Sequence, residues 1–197
     1  MNKKGFLSLV MAFTLVTLTT GSASATTWRL NPGYWQNPKL TVYDTSNYYN
    51  SVYSAVTGWN NLGTANYFYY YGASNPPAYH QVRVSSARFY DAAWVGATYV
   101  TLQNGEKKNP ETATYANWDA SIPYQFAWID LNEQTITHVH NLGTDKKIAI
   151  AGHELGHSLA AGHDTSKTFI MYPDAKSVTS TYAAVNEKAQ MVSKYGY

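Results

Sequence analysis

The 197-residue chain contains no cysteine, so it forms no disulfide even in an oxidising compartment. Charge is also scarce. Only 13% of residues are charged, 14 basic against 12 acidic, and no basic run stands out. That balance gives no electrostatic footprint for nucleic acid. Long apolar runs are absent after Phe6–Leu18, and that stretch is short of the roughly 20 residues a spanning helix needs. No internal repeat or low-complexity linker divides the remainder, which is long enough to bury one core.

What is present begins with a leader. Met1-Asn2-Lys3-Lys4 is basic, Phe6–Leu18 is apolar, and Ala23-Ser24-Ala25 is a small-residue cleavage site. Residues 1–25 read as a secretory signal peptide and residues 26–197 as a single domain. Lys3 and Lys4 leave with the leader, so the mature chain is neutral, with twelve basic and twelve acidic residues. The expected product is secreted, soluble without a membrane anchor, and monomeric. The lysine-rich start, the missing cysteines and the cleavage site together suggest a bacterial, Gram-positive source.

The most informative stretch is His153-Glu154-Leu155-Gly156-His157-Ser158-Leu159-Ala160-Ala161-Gly162-His163-Asp164. His153 and His157 are one helical turn apart, so their imidazoles share a face and can reach one tetrahedral zinc. Glu154 then lies beside the open coordination position, where a bound water has its pKa lowered towards ~7 and Glu154 can accept the proton. His163 is expected as the third ligand. About 240° of helical rotation separates it from His157, so the helix must end between them and the chain must turn back.

These residues resemble the metzincin signature, HExxHxxGxxH, followed downstream by a Met-turn at Ile170-Met171-Tyr172-Pro173 that is close to the matrixin form. The resemblance implies zinc bound by His153, His157 and His163, Glu154 as the catalytic base, and Met171 as an apolar floor beneath the histidines. Tyr172 and Pro173 would begin the wall of the pocket for the residue after the cut. It also implies a peptidase of the extracellular space or matrix, acting on protein or peptide and built on an α/β fold. That fold is a twisted, mostly parallel five-stranded sheet with packed helices and a small C-terminal subdomain. Structural calcium is common in the family; Asp44, Asp91, Asp119 and Asp130 are the individual candidates, without dense oxygen-ligand spacing. Without cysteine there is no cysteine-switch propeptide, and few residues separate Ala25 from the first strand, so no folded prodomain is expected. One position departs from the family. Its glycine is Ala160 here, and Gly162 is expected to supply the turn.

Along the chain, Lys39–Asp44 alternates as a strand. Ser46 or Asn47 is placed to cap a helix carrying Val52, Val56 and Trp59, with Gly63 after its end. Further strands are expected at Ala65–Tyr71, at Val82 and Val84 running on to Tyr90, at Ala97–Gln103, at Phe126–Leu131 and at Thr135–His140. Gly105–Pro110 reads as a polar loop. Thr144 or Asp145 is placed to cap the histidine helix, whose Ile148, Ala151, Leu155 and Leu159 form a buried stripe. A last helix starting near Asn186 is expected to bury Ala189, Val192 and Tyr195.

Three features have competing readings. His138 and His140 share a strand face and would form a second metal site only with partners such as His80. Asn186-Glu187 imitates the gluzincin pattern, in which a later glutamate binds zinc; the plain reading is an N-cap and an acidic first-turn residue. The 18 tyrosines, densest at Tyr67–Tyr71, suit cross-strand packing or a carbohydrate-stacking face. An aromatic-rich surface or carbohydrate-binding protein with a structural metal site is therefore the alternative function.

Overall fold

Alternation carries the sheet, and the computed structural model, which describes residues 30–110, 119 and 121–197, lays it out in six strands. The leader, residues 1–25, lies outside the described residues. The strands are β1 (Lys39–Asp44), β2 (Tyr67–Gly72), β3 (Val82–Ala87), β4 (Gly96–Leu102), β5 (Lys107–Lys108) and β6 (Tyr124–Asn132). The helices are α1 (Tyr49–Asn60), α2 (Thr144–Ser158) and α3 (Val185–Tyr195). Strand order is β2-β1-β3-β6-β4-β5. β1 pairs in parallel with β2 and β3, and β3 with β6, whereas β4 runs antiparallel to both β6 and β5. The five-stranded expectation is thus corrected: the sheet has six strands, and β5 comes from residues read as a polar loop.

One face of the sheet is dry. Val42 is in register with Val82, Val82 with Ala127, and Ala127 with Val100, all fully buried. The alternate residues, Tyr67, Tyr69, Arg83 and Tyr99, are exposed, as a period of two requires. α1 lays Val52, Ala55, Val56 and Trp59 into the core, and its Trp59 indole donates to the Gly152 carbonyl of α2 at 2.8 Å. The helices are clamped together by that bond.

Sequence reading erred at several ends. Neither Ser46 nor Asn47 caps α1; Tyr48 is its N-cap, and no side chain caps it. The N-cap of α2 is Gly143, with Thr144 already helical. Residues 135–140 form no strand. Gln134–Val139 is a π-helical turn, because buried Asn132 ends β6 by accepting from the Gln134 amide at 3.0 Å. The same Asn132 side chain donates to the carbonyls of Phe89, Ala92 and Trp94, so it organises the loop that leads into β4. In α3 the expected face is only partly right: Tyr195 packs against the core, but Glu187, Gln190 and Met191 are the fully buried residues and Ala189 is exposed.

Candidate metal centre

His153 and His157 leave α2 from one face, and their Nε2 atoms are 3.0 Å apart. His163 Nε2 lies 3.2 Å from His157 Nε2, and ligand atoms of all three histidines fall within 4.8 Å of one another. Three nitrogens on one tetrahedral zinc, at about 2.0–2.1 Å each, stand roughly 3.3 Å apart. The other ring nitrogens decide the tautomers. His153 Nδ1 is 2.6 Å from the Ile170 carbonyl and His157 Nδ1 is 3.0 Å from the Ala161 carbonyl. A carbonyl only accepts, so both Nδ1 atoms carry the proton, and the two Nε2 atoms face each other with lone pairs. Such a contact repels unless a cation lies between. The cluster can hold a metal ion, and its donor set and spacing fit zinc.

Burial keeps these ligands neutral. Desolvation, and then the neighbouring His163, lower the His153 pKa from 6.5 to about 4. His157 is lowered further, by burial first and then by His153 and His163; His163 is lowered by burial. The unfolded chain therefore binds more protons than the folded one between about 4 and 6.5. Stability of metal-free protein should rise with pH across that window and be lost as pH falls. Thermal unfolding of chelator-treated protein at pH 5 and pH 7.5 checks this; an equal or higher midpoint at pH 5 would contradict it.

The turn between His157 and His163 is made by Ala160 and not by Gly162, a correction to the expectation from sequence. Ala160 has φ +63°, whereas Gly162 is not among the positive-φ residues. Ala161 N–H donates to the Gly156 carbonyl and Ala160 N–H to the His157 carbonyl, which together make a complete Schellman motif. An L-residue pays roughly 1–2 kcal/mol for this conformation. Distant partners hold it there. The Trp35 indole donates to the Ser158 carbonyl at 2.7 Å, the Tyr195 hydroxyl to Leu159 at 3.0 Å, and the Asn31 amide group to Ala161 at 2.9 Å. Sequence reading missed all three, since nothing local marks them. Ala160→Val should destabilise the protein by about 2 kcal/mol or more and weaken zinc binding, because a β-branched residue resists φ above zero. Chemical denaturation and metal titration measure it; unchanged values would remove the strain argument.

Met171 is fully buried beneath the helix: a Cβ at Gly156 would collide with its sulfur and with Trp59. Its backbone is tied down too. The Asp164 N–H donates to the Met171 carbonyl at 2.7 Å, and the Met171 N–H donates to Glu187 Oε1 at 3.3 Å. Glu187 also accepts the Ala184 N–H at 2.9 Å, and Asn186 donates to Asp164 Oδ2 at 2.9 Å. Glu187 is fully buried and lies outside the histidine cluster. The gluzincin-like ligand scheme has no place here, and neither has a surface role for Glu187.

Glu154 is 2% exposed. Its Oε2 accepts from the Thr98 hydroxyl of β4 at 2.7 Å, and a Cβ at Gly96 would sit 2.6 Å from its Oε1. Glu154 and His153 line a cavity of about 320 Å³, together with Trp94, Val95 and Gly96 on one side and Pro173, Ala175 and Lys176 on the other. Pro173 thus faces the cavity. Tyr172 does not line it; its ring instead lies under the Lys167 ammonium, 5.7 Å away.

The fold resembles that of myroilysin. The crystal structure of that metallopeptidase superposes with a TM-score of 0.51 at 11% identity, covering 83% of this chain and 86% of that one. At this identity the likeness shows the fold alone. No protein-family model matches the chain, and no curated protein matches it in sequence.

The expected second histidine site does not form. His138 and His140 are exposed on the π-helical turn, and His80 stacks between Tyr43 and Phe126. Asp44 accepts from the Ser46 amide and the Tyr70 hydroxyl, Asp119 from Ser121, and Asp130 from Ser85. Among the described residues, the three histidines are the single group of three or more acidic, histidine or cysteine side chains gathered closely enough to hold an ion.

Proposed function

We propose that this chain is a secreted, zinc-dependent metalloendopeptidase of the metzincin type, with a matrixin-like Met-turn at Met171. The observation that carries the reading is the convergence of three histidine nitrogens beside a cavity that His153 and the buried Glu154 line. When bound, zinc supplies Lewis acidity toward the scissile carbonyl and toward a water.

The protein's own groups do the remainder. His153 and His157 present unprotonated Nε2 atoms because their Nδ1 protons are committed to backbone carbonyls. Glu154 takes the proton of the attacking water and later delivers it to the departing amine. Thr98 holds the carboxylate against β4. Among the described residues, β5 pairs only with Val100 and Thr101, and no other strand covers the outer edge of β4 near the cavity. An extended peptide can add there as a strand, with the side chain after the cut directed towards Pro173 and Ala175. Tyr172 is left out of that wall. A structural-metal reading is disfavoured, because such a site has no use for a carboxylate beside an open cavity.

Digestion of casein by mature protein, with and without a chelator and with zinc added back, tests the proposal. Cleavage abolished by chelation and restored by zinc is expected. Metal-loaded protein that cuts no peptide would overturn it.

A further inference from the structure

We propose that the outer face of α1, with the edge of β2, binds a neutral polysaccharide chain at a site separate from the histidine cluster. Two hollows meet there. One, about 570 Å³, lies between α1 and β2 and is lined by Tyr53, Thr57, Asn60, Asn61 and Tyr70 among others. The second, about 440 Å³, shares Tyr53, Thr57 and Asn61 and is closed by Tyr182. Both volumes are of small-ligand size. Tyr53, Thr57 and Asn60 follow one another along α1 at helical spacing, on the side that does not pack on α2.

The chemistry of the lining selects the ligand. Among the described residues, no Asp, Glu, Lys, Arg or His lines either hollow, so phosphate, nucleic acid and metal ions have no counter-charge there. The rings are exposed and held in place. Tyr53 and Tyr182 are 56% and 46% exposed. Tyr53 stacks edge-on to Tyr70 at 5.3 Å, and the Tyr182 ring lies against Gly58, where a Cβ would come within 2.8 Å. Flat apolar rings flanked by hydroxyls and side-chain amides match a sugar ring, which has apolar C–H faces and an equatorial rim of hydroxyls.

A peptide strand is the rival occupant, since β2 is at the edge of the sheet. Its outward backbone is already taken in part. Asn60 accepts the Phe68 N–H at 2.8 Å and donates to the Phe68 carbonyl at 2.9 Å, filling the place of a neighbouring strand. Side chains, not the backbone edge, are what this surface offers.

The site tethers the protein to an insoluble glycan and is independent of hydrolysis. The test is co-sedimentation of mature protein with microcrystalline cellulose and with chitin, and retardation in gels containing soluble xylan. Retention on at least one is expected. Tyr53→Ala and Thr57→Lys should each lower the affinity about tenfold, with unfolding midpoint and cleavage of a small peptide unchanged. Tyr90→Ala, at a tyrosine that is 68% exposed and lines neither hollow, should bind as wild type. Absence of retention on all three glycans, or retention indifferent to Tyr53→Ala and Thr57→Lys, would overturn the site. So would equal loss with Tyr90→Ala, which would mark unspecific tyrosine adhesion.

Discussion

Glu154→Ala protein should keep one zinc per chain and lose peptide hydrolysis by roughly 10²–10⁴-fold. The carboxylate stands outside the group of three ligand nitrogens, so its removal leaves the metal's donors untouched. The fold should survive as well. Thr98, the buried partner of the carboxylate, also donates to the Glu154 backbone carbonyl at 3.0 Å and keeps that acceptor in the variant. Glu154→Gln is the tighter comparison, since an amide oxygen can still accept from Thr98 but cannot take a proton from water. Metal analysis beside a fluorogenic-peptide assay reads both properties in one preparation. Either variant turning over at the wild-type rate would remove Glu154 from the chemistry.

The second large effect separates a ligand from its support. His163→Ala should weaken zinc binding by more than about 100-fold, because loss of a hydrogen-bonding partner behind a ligand already costs 10–100-fold. Glu187→Ala should behave in the opposite way. It leaves the Met171 and Ala184 N–H groups without their buried acceptor, which costs about 2–4 kcal/mol of folding stability. Its histidines remain in place, so folded Glu187→Ala should bind zinc within about tenfold of wild type. From the sequence, Glu187 suggested only a helix-terminus contact; its complete burial raises the expected cost several-fold. Zinc titration and denaturant unfolding of both variants decide the matter. Near-normal affinity for His163→Ala, with complete loss in folded Glu187→Ala, would give the metal a different ligand set.

Why some parts of the chain were legible and others were not follows from the range of the interactions. β1, α1, β4 and α2 were placed to within a few residues, because alternation and helical spacing report which face is buried. Residues 135–140 misled because Thr135, Ile136 and Val139 look strand-forming, while the deciding bonds come from Asn132 to a loop some forty residues earlier. α3 misled for a related reason. Its buried face includes Glu187, a residue that an apolar pattern assigns to solvent, and that carboxylate is paired with the backbone of the Met171 turn.

By itself the sequence determined the identity and spacing of the reactive groups: two histidines one turn apart, a glutamate beside them, a third histidine beyond a necessary break, and a methionine downstream. Those follow from helix geometry, which is local. Only the tertiary structure decided how the break is made and what holds it. Ala160 is kept in a left-handed conformation by donors to the neighbouring carbonyls: Asn31 and Trp35, more than 120 residues away, and Tyr195, 36 residues beyond the Leu159 it bonds. Thr98 secures Glu154 from another strand, and Glu187 secures Met171 from another helix. The physical reason is that buried backbone carbonyls and carboxylates must find donors, and any chain segment brought alongside can supply them.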